Sequence, residues 1–179
     1  MSRYTLWMHP NVGASVRPAT IPRFAVGREP LDVDALTRSV ADTAPGELGA
    51  VVAFLGMVRA SNAGRRVLFL EYEAYEALAL RALERIDVEA RERWTGVRLA
   101  IHHRTGRLNL GETSIVIVAA TAHRAEAYQA CHYAIERVKQ IVPIWKHEYF
   151  EGGDVWIEGA TAEPDDDTAR AEAMNRACV

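Results

Sequence analysis

Two uninterrupted apolar runs, Gly49 to Val58 (GAVVAFLGMV) and Ser114 to Thr121 (SIVIVAAT), restrict the fold of this chain more than any other feature. Both are strand-length, rich in β-branched side chains, and lack the polar alternation of a strand with one face in water. Both are expected to be buried, and Gly49 to Val58 is expected at the centre of a sheet with helices against it.

The remaining chain supplies those helices. Arg23 to Val26 reads as a short opening strand. Leu31 to Ala41 is predicted helical, with Asp32 or Asp34 near its start and Val33, Leu36 and Val40 at helical spacing. Pro45-Gly46 breaks the chain, and Ala60 to Gly64 has the composition of a flexible loop. Val67 to Tyr75 alternates and reads as a strand with one wetter face. Glu76 to Trp94 is the longest predicted helix, with Ala79, Leu83, Ile86 and Ala90 as its apolar stripe. Val97 to His103 is a further strand, and Gly106 to Glu112 a turn-rich connection. Arg124 to Val142 is predicted helical until Pro143 ends it. Ile144 to Phe150, the turn Gly152-Gly153-Asp154 and Val155 to Glu158 form a predicted hairpin. From Glu163 the tail is acidic, then Ala- and Arg-rich, and is expected to form a short frayed helix.

At 179 residues this pattern suits one domain with a small subdomain. Residues 1–22 are expected to form a loose extension, 23–159 the domain and 160–179 a tail. A formal net charge of −3 argues against a nucleic-acid binder. No apolar run approaches the ~20 residues that span a bilayer, and the N-terminus lacks the apolar core of a secretory signal. Cys131 and Cys178 lack the spacing of a disulfide framework or zinc site, so a reducing cytoplasm is the expected compartment.

Against that acidic background, four potentially cationic side chains stand out: His123 and Arg124 at the end of the second apolar run, Lys139 along the next helix and Lys146 on the strand after it. His123 and Arg124 fall where a strand becomes a helix, and free N–H groups with the positive end of the dipole favour an anion there. The competing reading makes His123 a cap and Arg124 a solvated first-turn residue; spacing leaves both open. Lys139 alone is explained by the helix dipole, and Lys146 alone as a strand lysine beside Trp145. Together they differ, because a lysine beside other cations loses proton affinity and becomes a candidate base or nucleophile. Lys146 shares a strand face with Glu148. Arg59 ends the first apolar run at a loop, a usual place for a binding residue. Arg65 and Arg66 read better as solvated loop residues. His102 and His103 point to opposite faces and are not read as a metal pair. Cys131 falls on a core stripe, and no nucleotide-binding or serine-hydrolase motif occurs.

The runs GAVVAFLGMVR (Gly49 to Arg59), TAHR (Thr121 to Arg124) and KQIVPIWKHE (Lys139 to Glu148), followed by GGDVWIEG, resemble the large, catalytic subunit of molybdopterin synthase. The likeness extends over about Arg23 to Glu158, leaving the N-terminal extension and the tail outside. The resemblance implies an α+β fold, an α/β hammerhead with an additional small antiparallel β subdomain. It implies transfer of sulfur to cyclic pyranopterin monophosphate, forming the molybdopterin dithiolene. The sulfur would arrive as a thiocarboxylate on the Gly-Gly C-terminus of a small ubiquitin-like carrier subunit. Lys139 and Lys146 match the family's catalytic lysines. Arg59, His123 and Arg124 match residues that bind the substrate's phosphate and pterin, Phe54 an aromatic position near the pocket, and Glu148 a supporting polar one. The large subunits would form a homodimer within a heterotetramer, a pocket borrowing an arginine such as Arg59 from the neighbouring protomer. No metal and no organic cofactor is expected. One departure is Val155, where family members often carry arginine; the missing anion contact would then be lost or supplied by Arg65 or Arg66. A non-catalytic module that binds a carrier tail or a phosphorylated ligand is the alternative, and the presence of both lysines weighs against it.

Overall fold

The structure, a computed structural model, describes residues 21–43, 45–157 and 159–178. Most of the expected N-terminal extension, and Glu158 at the end of the expected hairpin, therefore lie outside the described residues. In chain order the elements are β1 (Phe24–Gly27), α1 (Val33–Ala41), β2 (Ala50–Met57), β3 (Ser61–Asn62) and β4 (Arg65–Ala74). There follow α2 (Glu76–Arg93), β5 (Arg98–Arg104), β6 (Gly106–Asn109), β7 (Thr113–Thr121), α3 (Arg124–Ile141), β8 (Ile144–Phe150), β9 (Gly153–Ile157) and α4 (Asp167–Ala177). The fold is α+β.

Two sheets divide the strands. The first has the order β1-β5-β7-β2, and the second the order β3-β4-β8-β9 with β6 also paired to β4. β7 explains its own composition. Ile115, Ile117 and Ala119 point to one face and pack with α2 and α3. Val116, Val118 and Ala120 point to the other and pack with Leu36 and Val40 of α1. Period-two alternation between two covered faces leaves no position for a polar side chain.

β2 departs from expectation. It pairs only with β7 and forms the edge of the first sheet, not its centre. Val51, Phe54, Leu55 and Met57 are exposed on it. A continuous apolar run signals that both faces avoid water, and it reads the same whether the cover is this chain or another surface. Two further expectations are revised. The loop Ala60 to Gly64 contains β3, which turns into β4 through Ala63 (φ 48°) and Gly64 (φ 76°). Positive φ at both central residues is the geometry of a tight hairpin turn. The turn-rich Gly106 to Glu112 contains β6, paired with Phe69 to Tyr72.

Helix ends follow local chemistry. The Asp32 carboxylate accepts from Ala35 N at 2.8 Å and starts α1. Val142 closes α3 in extended geometry (φ −85°, ψ 119°), as the residue before a proline must. The tail helix is not frayed. Asp166 caps it through the amides of Thr168 and Ala169, and Ala169, Ala173 and Ala177 are buried. Among the described residues no helix is long and apolar enough to cross a membrane.

One polar network runs through the helical layer. Arg137 of α3 and Glu89 of α2 are both fully buried and paired in a fork, Nε to Oε2 and Nη2 to Oε1, each at 2.9 Å. Tyr133 donates to the same carboxylate at 2.7 Å, and Arg85 at 3.1 Å. Burial alone would raise the Glu89 carboxyl; the bonds from Arg137 and Tyr133 outweigh it and hold the group below the usual carboxylate range. Arg137 also donates to Pro164 O at 3.1 Å and to Gln140 Oε1 at 3.0 Å, while Gln140 donates to Ala169 O at 2.9 Å. The tail is thereby tied to α3. Arg137→Met, which strands a buried carboxylate, is expected to lower stability by about 3–5 kcal/mol. The pair Arg137→Met with Glu89→Leu should recover most of that loss, and urea unfolding of the three chains checks both statements.

Candidate active site

The site begins on β8. Its register sets Lys146 opposite Tyr72 of β4 and Glu148 opposite Leu70, with Val155 of β9 flanking Glu148 on the other side. Lys146 Nζ lies 3.8 Å from Glu148 Oε2. Glu148 is 1 % exposed, and the β3–β4 hairpin covers it: Asn62 Nδ2 donates at 2.8 Å and Arg65 Nη2 at 3.4 Å. The tight turn at Ala63-Gly64 thus brings two donors over a buried carboxylate. Arg65 stacks its guanidinium on Phe150, 4.7 Å from the ring centre, whereas Arg66 pairs outward with Glu151 at 2.7 Å.

Burial pushes the Lys146 ammonium below its usual range. Glu148 opposes that shift, and Arg59 and Arg65 reinforce it. Arg59 is exposed at the end of the first apolar run.

Lys139 stands near the C-terminus of α3, between two hollows. One, about 360 Å³, is lined by Phe54 of β2 with His132, Glu136 and Lys139 itself. The other, about 250 Å³, is lined by Lys139, Tyr72, His103, Val142, Ile144 and Gly159. Gly159 closes this second hollow by crossing over the start of β8. A Cβ there would lie 2.4 Å from Ile144 O, so the position admits no other residue. Glu136 Oε1 accepts from Lys139 Nζ at 3.4 Å.

Tyr72 and His103 join the two lysines and were not among the predicted site residues. Tyr72 is the cross-strand neighbour of Lys146 and also lines the smaller Lys139 hollow. His103 meets its ring edge-on, with centroids 5.1 Å apart. His103 Nδ1 lies 2.8 Å from Arg104 O, and a carbonyl can only accept, so Nδ1 carries the proton and Nε2 keeps a lone pair. Burial pushes His103 down to about 4 and raises the Tyr72 phenol, so both are neutral near pH 7. The available signal was the alternation that turns Tyr72 inward with Leu70 and separates His103 from His102, whose Nε2 meets Pro22 O at 2.7 Å. Cys131 is buried with its thiol pushed up to about 12 by burial, as a packing residue should be.

The predicted cationic cluster divides in two. His123 and Arg124 are exposed at the N-terminus of α3, fifteen residues before Lys139. At 1.5 Å per residue that is about 22 Å along the axis. His123 occupies the cap position, but its side chain makes no capping bond, which leaves the first-turn amides open. Lys139, Lys146, Phe54, Glu148 and Arg59 thus gather around the junction of the two sheets, and His123 with Arg124 does not join them within one chain.

Comparison with known proteins places the chain in a family. The MoaE protein family model matches residues 26–141. The molybdopterin synthase catalytic subunit of Halalkalibacterium halodurans is 43% identical over 77% of this chain and 86% of its own. The crystal structure of molybdopterin synthase from Staphylococcus aureus superposes with a TM-score of 0.73 at 38% identity, covering 76% of this chain and 98% of that one. A complex of subunits 1 and 2 of molybdopterin-converting factor from Helicobacter pylori shares the fold at a TM-score of 0.64 and 23% identity, covering 82% of this chain and 99% of that one. With its matched segment spanning both apolar runs and most of the site, the chain belongs to the MoaE family, that of the molybdopterin synthase catalytic subunits.

Proposed function

We propose that this chain transfers sulfur from a thiocarboxylated carrier subunit to cyclic pyranopterin monophosphate, forming the molybdopterin dithiolene. One observation carries the residue assignment. Of the chain's 21 basic residues only two are lysine, which leaves 19 arginines, and the two are Lys139 and Lys146. Arginine serves wherever a constant charge is enough; lysine is retained where a proton must leave. Both lysines border Tyr72.

Attack of the thiocarboxylate sulfur on a side-chain carbon of the substrate forms a C–S bond as a C–O bond of that carbon breaks. Negative charge develops on the departing oxygen, which needs a proton, and water then cleaves the thioester and releases the carrier as its carboxylate. Lys139, at the mouth of two hollows, supplies and accepts that proton. Lys146, with Arg59 and Arg65 adding positive potential, orients the anionic end of the carrier tail, and Glu148 keeps Lys146 and Arg65 in place. Arg65, not Arg66, stands in for the arginine absent at Val155. The neutral Tyr72 and His103 present polar edges to the tail without repelling its charge. Sulfur comes from the carrier, so neither cysteine takes part; both are free, in keeping with a reducing cytoplasm.

His123 and Arg124 bind the substrate phosphate in the pocket of a second copy, a reading that their separation from Lys139 supports. The exposed apolar edge of β2 is the surface a second copy would cover, and Phe54 on that edge also lines a Lys139 hollow. A homodimer with one carrier at each end is a heterotetramer. In it the first sheet and its helices form the hammerhead, and the β3-β4-β8-β9 sheet the added subdomain.

Lys139→Ala is expected to reduce dithiolene formation at least about 100-fold in a single turnover with substrate and thiocarboxylated carrier, while carrier binding survives. Undiminished product would end the catalytic assignment. Binding without product in the unaltered chain would make it a non-catalytic module. Mixing the inactive Lys139→Ala and Arg124→Ala chains tests the shared pocket. Random dimers should regain roughly a quarter of full activity, because each mixed dimer holds one intact site. A mixture that stays inactive would return Arg124 to its own chain's pocket.

A further inference from the structure

Glu136 lies one helical turn before Lys139, and its side chain is only 12 % exposed. Its two carboxylate oxygens serve two cations. Oε1 accepts from Lys139 Nζ at 3.4 Å, and Oε2 accepts from Arg176 Nη1 of α4 at 2.7 Å. Arg176 is held in place by the packing of its helix. α4 buries Ala169, Ala173 and Ala177, and Gln140 of α3 donates to Ala169 O while its own carbonyl accepts the amides of Thr161 and Ala162. This whole segment lies beyond residues 26–141, where the family match ends.

We propose that Glu136 and Arg176 are positioning residues for Lys139: α4 fixes the carboxylate of Glu136, and that carboxylate holds the Lys139 ammonium between its two hollows. The proposal rests on the reading that Lys139 moves protons in the reaction. The sharing of the carboxylate sets the strength of the hold. A carboxylate divided between Lys139 and Arg176 holds the amine less tightly than one that serves Lys139 alone. The other titratable groups lining the two hollows come from three elements. Tyr128, His132 and Cys131 come from α3, with the Cys131 thiol pushed up by burial. Tyr72 comes from β4 and His103 from β5, both held neutral by burial. β2 contributes Phe54, without charge. Glu136 is the one carboxylate among the residues lining either hollow.

The test uses the chain's two lysines. Reductive methylation of the full-length protein with ¹³C-formaldehyde labels Lys139, Lys146 and the terminal amine, and a Lys139→Arg chain assigns the signals. On titration by NMR, Glu136→Gln should lower the Lys139 midpoint by roughly 0.3–0.5 pH units. Arg176→Met, which keeps the apolar stem, should raise it by about the same amount. Lys146 should move in neither. With unlabelled protein, the pH limb of kcat should shift in the same opposed directions, with KM for the carrier unchanged. Shifts of the same sign, or no shift in either variant, overturn the proposal, as does a loss of turnover without any change in titration. A Lys139→Ala chain that still turns over would sink the catalytic reading while leaving these titration shifts intact, so the two failures are distinguishable.

Discussion

The buried fork between Arg137 and Glu89 is the constraint on which the site depends. An ion pair with no solvent access on either side chain adds little net stability over an apolar pair of the same shape, because two charges must be desolvated. Its effect is on register. Oil-like contacts between α2 and α3 tolerate sliding, whereas a two-point fork with Tyr133 on the same carboxylate admits one alignment. Lys139 is two residues beyond Arg137, and Gln140 three beyond it anchors the tail. One alignment of α3 therefore fixes the height of Lys139, the path of residues 160–166 and the placement of α4.

Below that anchor the site uses the junction between two sheets. Pro143 stops α3, and β8 begins at Ile144, so Lys139 and Lys146 sit on different elements separated by a sharp change of direction. Their environments differ accordingly. Lys146 is partly buried among a carboxylate and two arginines, while Lys139 remains largely exposed beside one carboxylate. The two lysines therefore sit in different electrostatic fields.

Much of this was legible in the sequence, and the failures have physical reasons. Element type followed from period and capping: Asp32, Pro143 and the alternation of β4 and β8 all acted as written. The central position assigned to Gly49 to Val58 failed because apolar composition reports dryness and not which chain supplies the cover. The β3 hairpin was hidden because Ala63 is not a usual residue for positive φ. Both lysines and Glu148 stood out by charge spacing, and the structure pairs Lys146 with Glu148. Tyr72 and His103 did not stand out because their place beside the lysines comes from packing, which spacing in the sequence does not report. Proximity of His123 and Arg124 to Lys139 was overestimated because residues that are near in a helical sequence can still be a full helix length apart.

That separation has an electrostatic logic. Gathering His123, Arg124, Arg59, Arg65 and both lysines in one pocket of one chain would press like charges together with Glu148 as the main counterion, at a cost that grows as the pocket dries. Dividing the cations between the two ends of α3 leaves each group partly solvated in the separate chain. Assembly along the exposed edge of β2 would then bring the two sets to one pocket, with the apolar area of Val51, Phe54, Leu55 and Met57 offsetting the repulsion. An anionic substrate and an anionic carrier tail would supply the missing negative charge at that pocket. On this argument the strongly cationic site would be stable when occupied, and the same apolar run that first constrained the fold would provide the interface that completes it.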